Sequence, residues 1–229
     1  MHLAVEPSIL YFGTPVVLVS TLNEDSTPNL APFSSAFWLG WRCLLGMATS
    51  SKTAGNLART RQCAVNLPCA AQVAEVNRLA LTTGLSPVPP HKEARGYRYR
   101  PDKFGAAGMT PVPSETIGPP RAAECPVHLE CVLEAAHPVA GDDERLSGRI
   151  SCFELRVQRV HVDDSLLAHD DPDRIDPDKW RPLIMSFQRF YGLGAELADS
   201  RLASIPERMY RSPDIERARA SRAVAHRSG

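Results

Sequence analysis

The sequence predicts a mainly β fold in which antiparallel strands curve into a small barrel with a few helices packed outside it. Three observations carry this expectation. Pro15-Val-Val-Leu-Val-Ser-Thr-Leu22 is a compact β-branched run, bounded by a proline and by the turn-forming stretch Asn23-Glu-Asp-Ser-Thr-Pro28. Val127 to Glu134 alternates with a period of two, with Val127, Leu129, Cys131 and Leu133 on one face and His128, Glu130 and Glu134 on the other. The later run from Gly148 to Val162 is strand-like but shifts phase along its length, the mark of a bulge or bend and of a sheet that has to curve.

Taken in order, the first strand leads through the 23–28 turn into a return strand, Asn29 to Leu39. Arg42-Cys-Leu-Leu-Gly-Met-Ala48 is a third strand after the Gly40-Trp41 turn. Three consecutive strands with short connections predict an antiparallel meander. Lys52 to about Arg61 reads as a short helix with Ser50 or Ser51 as its N-cap, and Gln62 to Leu67 as a strand stopped by Pro68. Val73, Val76, Leu79 and Ala80 fall at helical spacing, so a second helix is expected between Ala70 and Leu81. Residues 85–121 then break the pattern, holding eight of the 20 prolines and a basic-aromatic patch, Arg95-Gly-Tyr-Arg-Tyr-Arg100. Tyr97, Tyr99 and Phe104 argue against a plain linker, so a lid or inter-subunit arm is expected, with one helical turn at Pro101-Asp-Lys-Phe-Gly105. The polar face of the 127–134 strand is expected in solvent. Residues 179–194, dense in Trp180, Phe187, Phe190 and Tyr191, are expected to form a helix packed on the barrel. These elements make one domain over residues 1–211, followed by an Arg/Ala-rich tail, 212–229, read as a solvated helix.

Composition narrows the function classes. Lys plus Arg equals Asp plus Glu at 26 each, so overall charge calls for neither nucleic acid nor an anionic membrane. The N-terminus lacks a basic region followed by a long apolar one, and no apolar run is long enough to span a bilayer. A soluble cytoplasmic protein is expected. The six cysteines are expected to be reduced, most of them acting as small hydrophobes in strands. Cys125-Pro-Val-His128 has ligand-like spacing without a second pair at zinc-site distance, so no metal is expected. No Gly-x-Gly-x-x-Gly occurs, which excludes a Rossmann site for a dinucleotide.

Two stretches concentrate chemistry. Ser50-Ser-Lys-Thr-Ala-Gly-Asn56 opens a helix with hydroxyls, one cation and free backbone N–H groups, a combination suited to phosphate. A cation is disfavoured in a first helical turn unless an anion is bound, which makes Lys52 informative. Asn29-Leu-Ala-Pro-Phe-Ser-Ser-Ala-Phe37 is strand-like and rich in small polar groups that suit a flat, heteroatom-rich ring. The two stretches are predicted to form one cofactor site.

In these two stretches, in the strand end Val65-Asn-Leu-Pro68, and in Glu124-Cys-Pro126, Gly148-Arg-Ile150 and Val160-His-Val162, the chain resembles the flavin reductase-like family of FMN-binding split barrels over roughly residues 10–165. It departs from the family's usual pattern in having Gly40-Trp41 where a Pro pair is common and Ser51-Lys52-Thr53 where Lys-Asp-Thr is common. The resemblance implies a six-stranded Greek-key split barrel working as a homodimer, with FMN near the subunit interface. Ser50, Ser51, Lys52, Thr53 and Asn56 would then hold the phosphate end. Asn29, Ala31, Pro32, Phe33, Ser34 and Ser35 would lie along the ring. The implied activity is an NAD(P)H:flavin reductase that moves a hydride from NADH or NADPH to flavin and passes reduced flavin to a partner monooxygenase. His161 and His128 are the candidates for the nicotinamide side. Two alternatives remain open from sequence: an FMN-retaining oxidoreductase with its own small substrate, and a non-catalytic flavin- or haem-binding protein.

Overall fold

The computed structural model describes residues 1–169 and 171–225; the last four residues of the predicted tail lie outside the described residues. Seven strands form the central sheet: β1 (Val17–Leu22), β2 (Pro28–Phe33), β3 (Ala36–Leu39), β4 (Arg42–Ala48), β5 (Gln62–Leu67), β6 (Val127–Pro138) and β7 (Ile150–Val162). Their order is β2-β1-β5-β6-β7-β4-β3, with every pair antiparallel.

This order corrects two expectations. The return strand breaks at Ser34-Ser35, so β2 and β3, consecutive in the chain, become the opposite edges of the sheet and no simple meander forms. The sheet therefore has seven strands where six were expected, and it curls without hydrogen-bonding its edges into a closed barrel. The curl follows from connectivity, because two residues must bridge the two edges. Ser35 turns that corner, its carbonyl accepting from Gly46 N at 2.8 Å. A Cβ on Gly46 would stand 3.3 Å from the Ser35 Cβ, so glycine permits the close passage.

Inside the curl, Val17, Val19, Leu45, Val65, Leu129, Leu133, Phe153 and Leu155 form the main core, plugged by Ala54 and Leu57 of helix α1 (Lys52–Thr60). The outer face of β1 and β2 buries Val16, Leu18 and Leu30 in a second core with Val76 and Leu79 from α2 (Val73–Arg78) and its continuation. Phe104 and Ala107, from helix Lys103–Ala107, join it, as do Met109, Ala122, Cys125 and Leu183. With one core on each face, β1 reads as a continuous apolar run. The phase shifts expected of the long second-half strands occur as register shifts between β6 and β7 at Glu130/Cys131 and Leu133/Ala135.

Residues 179–194 correct the helix expected there. They form a hairpin, Ile184–Ser186 with Arg189–Tyr191, whose first strand also pairs with Phe12–Pro15. The two turn residues, Phe187 and Gln188, both have positive φ (44° and 65°), the signature of a tight primed turn made without its usual glycine or asparagine. Apolar density hid the hairpin, since nothing in the sequence marks the turn. An edge-to-face contact between Phe12 and Phe187 at 5.0 Å holds it. The expected tail helix is present as Pro213–Ala225 but is tethered, with Asp214 pairing with Arg42 at 2.7 Å. No helix of the described residues is long and apolar enough to cross a membrane, and no described group of three or more His, Cys, Asp or Glu is placed to hold a metal.

Of the polar face of β6, expected in solvent, Glu134 is exposed, but His128 and Glu130 are buried beneath residues 113–122. Glu130 is wholly buried and accepts from Glu115 N (2.8 Å), Thr116 N (2.6 Å), Thr116 Oγ1 (2.6 Å) and His161 Nε2 (2.8 Å). Burial pushes its pKa up, but the hydrogen bonds from His161, Thr116 and the two amides outweigh that and bring it down to about 2. His128, also buried, places Nδ1 3.0 Å from Asn66 Oδ1. Burial, reinforced by the nearby Arg121, holds its pKa down at about 4.

A pH dependence follows. The folded His128 ring binds fewer protons than the unfolded one, so its contribution to stability is complete above 6.5 and is lost as pH falls towards about 4. Glu130 titrates lower, from 4.5 unfolded to about 2 folded. Between pH 6.5 and about 5 the wild type should lose about 2 kcal/mol in urea unfolding from this histidine. His128→Gln keeps a donor for Asn66 and should flatten that slope; equal slopes in the two proteins would refute the assignment.

Candidate functional site

A cleft opens along the free edge of the sheet. One wall is β2, contributing Asn29, Ala31, Pro32 and Phe33; the start of α1 contributes Ser51, Lys52 and Thr53. The facing wall is the strip Leu79-Ala-Leu-Thr-Thr-Gly84 together with Lys92, Tyr97 and Lys103. The two stretches singled out in the sequence thus meet at one site. Not every predicted residue reaches it, however. Ser34 and Ser35 form the corner between β2 and β3, Ser50 is exposed in the turn before α1, and Asn56 is buried behind the wall. His128 and His161 belong to the Asn66 and Glu130 networks and do not line the cleft.

A buried polar chain positions the helix start. Asn29 Nδ2 donates to Thr53 Oγ1 at 3.2 Å, and Asn56 Nδ2 donates to Thr21 Oγ1 at 3.1 Å and Asn23 Oδ1 at 2.9 Å. Thr53 and Asn56, three apart on α1, face the sheet together and fix the helix against β1 and β2. Asn56 therefore sets where the helix begins and makes no part of the cleft surface. Ser51 is the N-cap, with its Oγ accepting from Ala54 N at 3.1 Å. The N–H groups of Lys52 and Thr53 precede the first intrahelical acceptor and stay available at the cleft.

Charge at the site is distributed differently from the sequence expectation. Lys52 lies on the wall, but its Nζ meets Glu24 Oε2 at 2.5 Å, a pair in which the glutamate is largely exposed. Its methylenes pack under Gly84, where a Cβ would stand 2.9 Å from Asn29 Oδ1 and 3.1 Å from Lys52 Cγ. Any side chain at residue 84 would displace the wall. Lys103 is only 2% exposed, and its ammonium donates to Thr82 Oγ1. Burial, and then the charge of Lys92, lower its pKa to about 8; burial alone lowers that of Lys92. Sequence reasoning missed Leu79–Gly84, Lys92, Tyr97 and Lys103. The one available signal was Lys103 directly before Phe104, an aromatic that the second core draws inward together with its neighbour.

Segment 85–121 supplies Lys92, Tyr97 and Lys103 of the facing wall and is itself structured. A turn of helix at Pro90–Glu93 precedes Arg98–Tyr99, which pairs in parallel with Thr82–Thr83, and Asp102 caps the helix at Lys103. The cleft is accordingly amphiphilic. Ala31, Pro32, Phe33, Leu79 and Leu81 offer an apolar surface beside a free strand edge, and Ser51, Thr53, Thr82, Thr83, Gly84 and Lys103 offer hydroxyls, amides and a buried cation. A planar ring carrying an anionic tail fits such a wall, as the uncompensated ammonium of Lys103 and the Cβ-free cradle at Gly84 indicate.

Fold and cleft together define a curled antiparallel sheet with an amphiphilic cleft on its open edge. The chain belongs to the flavin reductase-like family, whose flavin reductase like domain profile matches residues 9–194. It is 36% identical over 193 residues to the uncharacterised protein YdfE of Bacillus subtilis (strain 168), covering 84% of this chain and 90% of that one. Among solved structures it is similar to the flavoredoxin of Desulfovibrio vulgaris (Miyazaki F), with a TM-score of 0.70 at 23% identity, covering 90% of this chain and 100% of that one. It is also similar to nitrilotriacetate monooxygenase component B from Bacillus cereus, with a TM-score of 0.68 at 22% identity, covering 86% and 98%. The structural likenesses show the fold.

Proposed function

We propose that the chain is an NAD(P)H-dependent flavin reductase that binds FMN in the cleft between β2 and α1. The observation that carries this reading is the amphiphilic wall, an apolar strand edge running into a hydroxyl- and cation-lined end, in a chain of the flavin reductase-like family. Ala31, Pro32 and Phe33 would lie along the ring. Ser51, Thr53 and the first amides of α1 would hold the phosphate end, where anions are favoured by the helix start. Bound flavin would supply the capacity to accept and release a hydride. The residues around it then need to orient the two reactants and exclude water, and no side chain has to act as an acid or base for the hydride itself. The described fold has no Rossmann unit, so the nicotinamide would approach across the open side of the cleft, near Tyr97. Component B of nitrilotriacetate monooxygenase is among the structural neighbours, which supports release of reduced flavin to a partner monooxygenase as the physiological role.

The homodimer implied by the resemblance is part of the same proposal. Edge strand β3 exposes Phe37 (53%) and Leu39 (66%), an apolar edge that free monomers rarely leave open. The edge lies a few residues along the chain from Phe33, which would bring the cleft near the contact.

Two measurements test this. Purified protein should bind FMN and oxidise NADH or NADPH in its presence, and the pair Ser51→Ala with Thr53→Ala should weaken FMN about tenfold (about 1.4 kcal/mol). No flavin binding, or affinity unchanged in the double variant, would sink the assignment of the site. Sedimentation of the full chain should give twice the monomer mass, and Phe37→Asp should halve it; a monomeric wild type would remove the dimer from the proposal.

A further inference from the structure

Residues 90–101 carry four cations, Lys92, Arg95, Arg98 and Arg100, against one carboxylate, Glu93, in a chain whose formal charge is zero. The fold sets this excess on the rim of the cleft. The helical turn Pro90–Glu93 ends at Gly96, whose positive φ of 84° lets Gly96 N reach Glu93 O at 2.8 Å and Tyr97 N reach Lys92 O at 3.1 Å. The chain then runs beside Thr82–Thr83, with Arg98 N donating to Leu81 O and Arg100 N to Thr83 O, both at 2.9 Å. Side chains alternate along such a strand, so Tyr97 and Tyr99 share one side and Arg98 and Arg100 the other. Tyr97 lines the cleft, with Lys92 Nζ 5.8 Å from its ring centroid, and Tyr99 is 42% exposed. Arg95, Arg98 and Arg100 are exposed and stand outside the cleft lining, so they make no part of the phosphate end assigned to the flavin. Arg42, Arg156 and Arg159 of the central sheet each hold a carboxylate. Among the described residues no carboxylate pairs with the three rim arginines, and Asp102, close by in sequence, is turned to Gly105 N at 2.8 Å. A fixed rim of unpaired guanidiniums beside an open cleft attracts a polyanion. Guanidiniums match phosphate oxygens in geometry, and tyrosine faces stack on bases.

We propose that the rim formed by residues 92–100 is the subsite for the adenosine-phosphate half of the nicotinamide donor, and that it selects NADPH over NADH. The inference rests on the flavin reading above and adds to it the choice of donor. A nucleotide draped over the strand sets its base on the tyrosine side and its phosphates on the arginine side. Charge then decides between the donors, because the 2′-phosphate, which brings roughly −1.5 to −2 at neutral pH, is the one ionic group that NADPH has and NADH lacks. A pyrophosphate alone, the anion that NADH or the adenylate half of FAD would bring, leaves the arginines and Lys92 in excess. The added 2′-phosphate balances them.

Two readouts on the full chain with FMN test this: steady-state oxidation of NADPH and NADH, and calorimetric binding of 2′,5′-ADP and 5′-AMP, which carry no nicotinamide. The wild type should show the higher kcat/KM with NADPH, chiefly through KM, and should bind 2′,5′-ADP more tightly than 5′-AMP. Both preferences should weaken as salt is raised. Arg98→Gln with Arg100→Gln changes two exposed side chains and should lower kcat/KM for NADPH about 30-fold (about 2 kcal/mol), with NADH within about fivefold. The same pair should abolish the preference for 2′,5′-ADP and leave FMN affinity unchanged. Arg149→Gln, exposed at the far end of the β6–β7 hairpin, removes a like charge elsewhere and should change none of these quantities. Equal loss of NADPH and NADH in the double variant, or no NADPH preference in the wild type, would overturn the proposal. A fall in FAD affinity with an unchanged NADPH-to-NADH ratio would assign the rim to the adenylate of a flavin and overturn it as well. Protein that binds FMN but not 2′,5′-ADP refutes this inference alone; protein that binds no flavin refutes the proposed function and this inference with it.

Discussion

Two residues, Ser34 and Ser35, join the two edges of a seven-stranded sheet, and most of the architecture follows from that constraint. A flat sheet would hold β2 and β3 some six strand spacings of about 4.8 Å apart, well beyond the reach of a two-residue link. The sheet must therefore curl until its edges nearly meet, enclosing the main core, and α1 closes the end of the curl with Ala54 and Leu57. Because the edges do not pair with each other, β2 keeps one side of its backbone unpaired within the sheet. That free edge is one wall of the cleft, and its unpaired backbone groups are left to water or to whatever occupies the cleft.

The same constraint explains why polar residues are buried where they are. A helix start placed beside a strand edge must be held in register, or the amides of Lys52 and Thr53 point elsewhere. Thr21, Asn29, Thr53 and Asn56 do this with amide–hydroxyl contacts that are buried and leave the cleft-facing N–H groups free. On the other face of the sheet, Glu130 gathers two amides, a hydroxyl and an imidazole from residues 115, 116 and 161, and so anchors the C-terminal half of the 85–121 segment. The N-terminal half, freed of that task, adds Lys92, Tyr97 and Lys103 to the facing wall begun by Leu79–Gly84.

Much of this was legible in sequence, and the failures share a cause. Strands β1, β4 and β5 and helix α1 announce themselves through local pattern, through Pro15, Pro68 and the Ser51 cap, and through β-branched runs that a two-sided core requires. Asn29, Ala31, Pro32, Phe33, Ser51, Lys52 and Thr53 reach the cleft as expected, because a strand edge and a helix start carry their chemistry on adjacent residues. What stayed hidden depends on contacts distant in sequence. Asn56 resembles a ligand until Thr21 and Asn23 are seen to occupy its amide. His128 and Glu130 look like the wet side of a strand until residues 113–122 cover them. The Phe187-Gln188 turn carries no glycine to mark it and depends on Phe12 from the far end of the domain.

The lysines show why charge is the hardest part of a site to read from sequence. Lys52 satisfies every local criterion for an anion contact, yet an exposed carboxylate at Glu24 already balances it, and such surface pairs contribute little and exchange easily. Lys103 satisfies none of them, sitting in a proline-rich stretch with no periodicity, and only folding makes it distinctive. Packing Phe104 into the second core takes its neighbour out of water, and the parallel pairing of residues 98–99 with 82–83 brings Thr82 and Thr83 alongside the same segment. Neither event involves a carboxylate, so the ammonium is left with a hydroxyl where a counter-ion would ordinarily stand. A fold that buries a cation in this way without need would be expected to lose it to a neutral side chain at no cost in packing. The charge instead lies against an open cleft, beside the first amides of α1 and a glycine that keeps the approach clear, where no single stretch of sequence would have placed it.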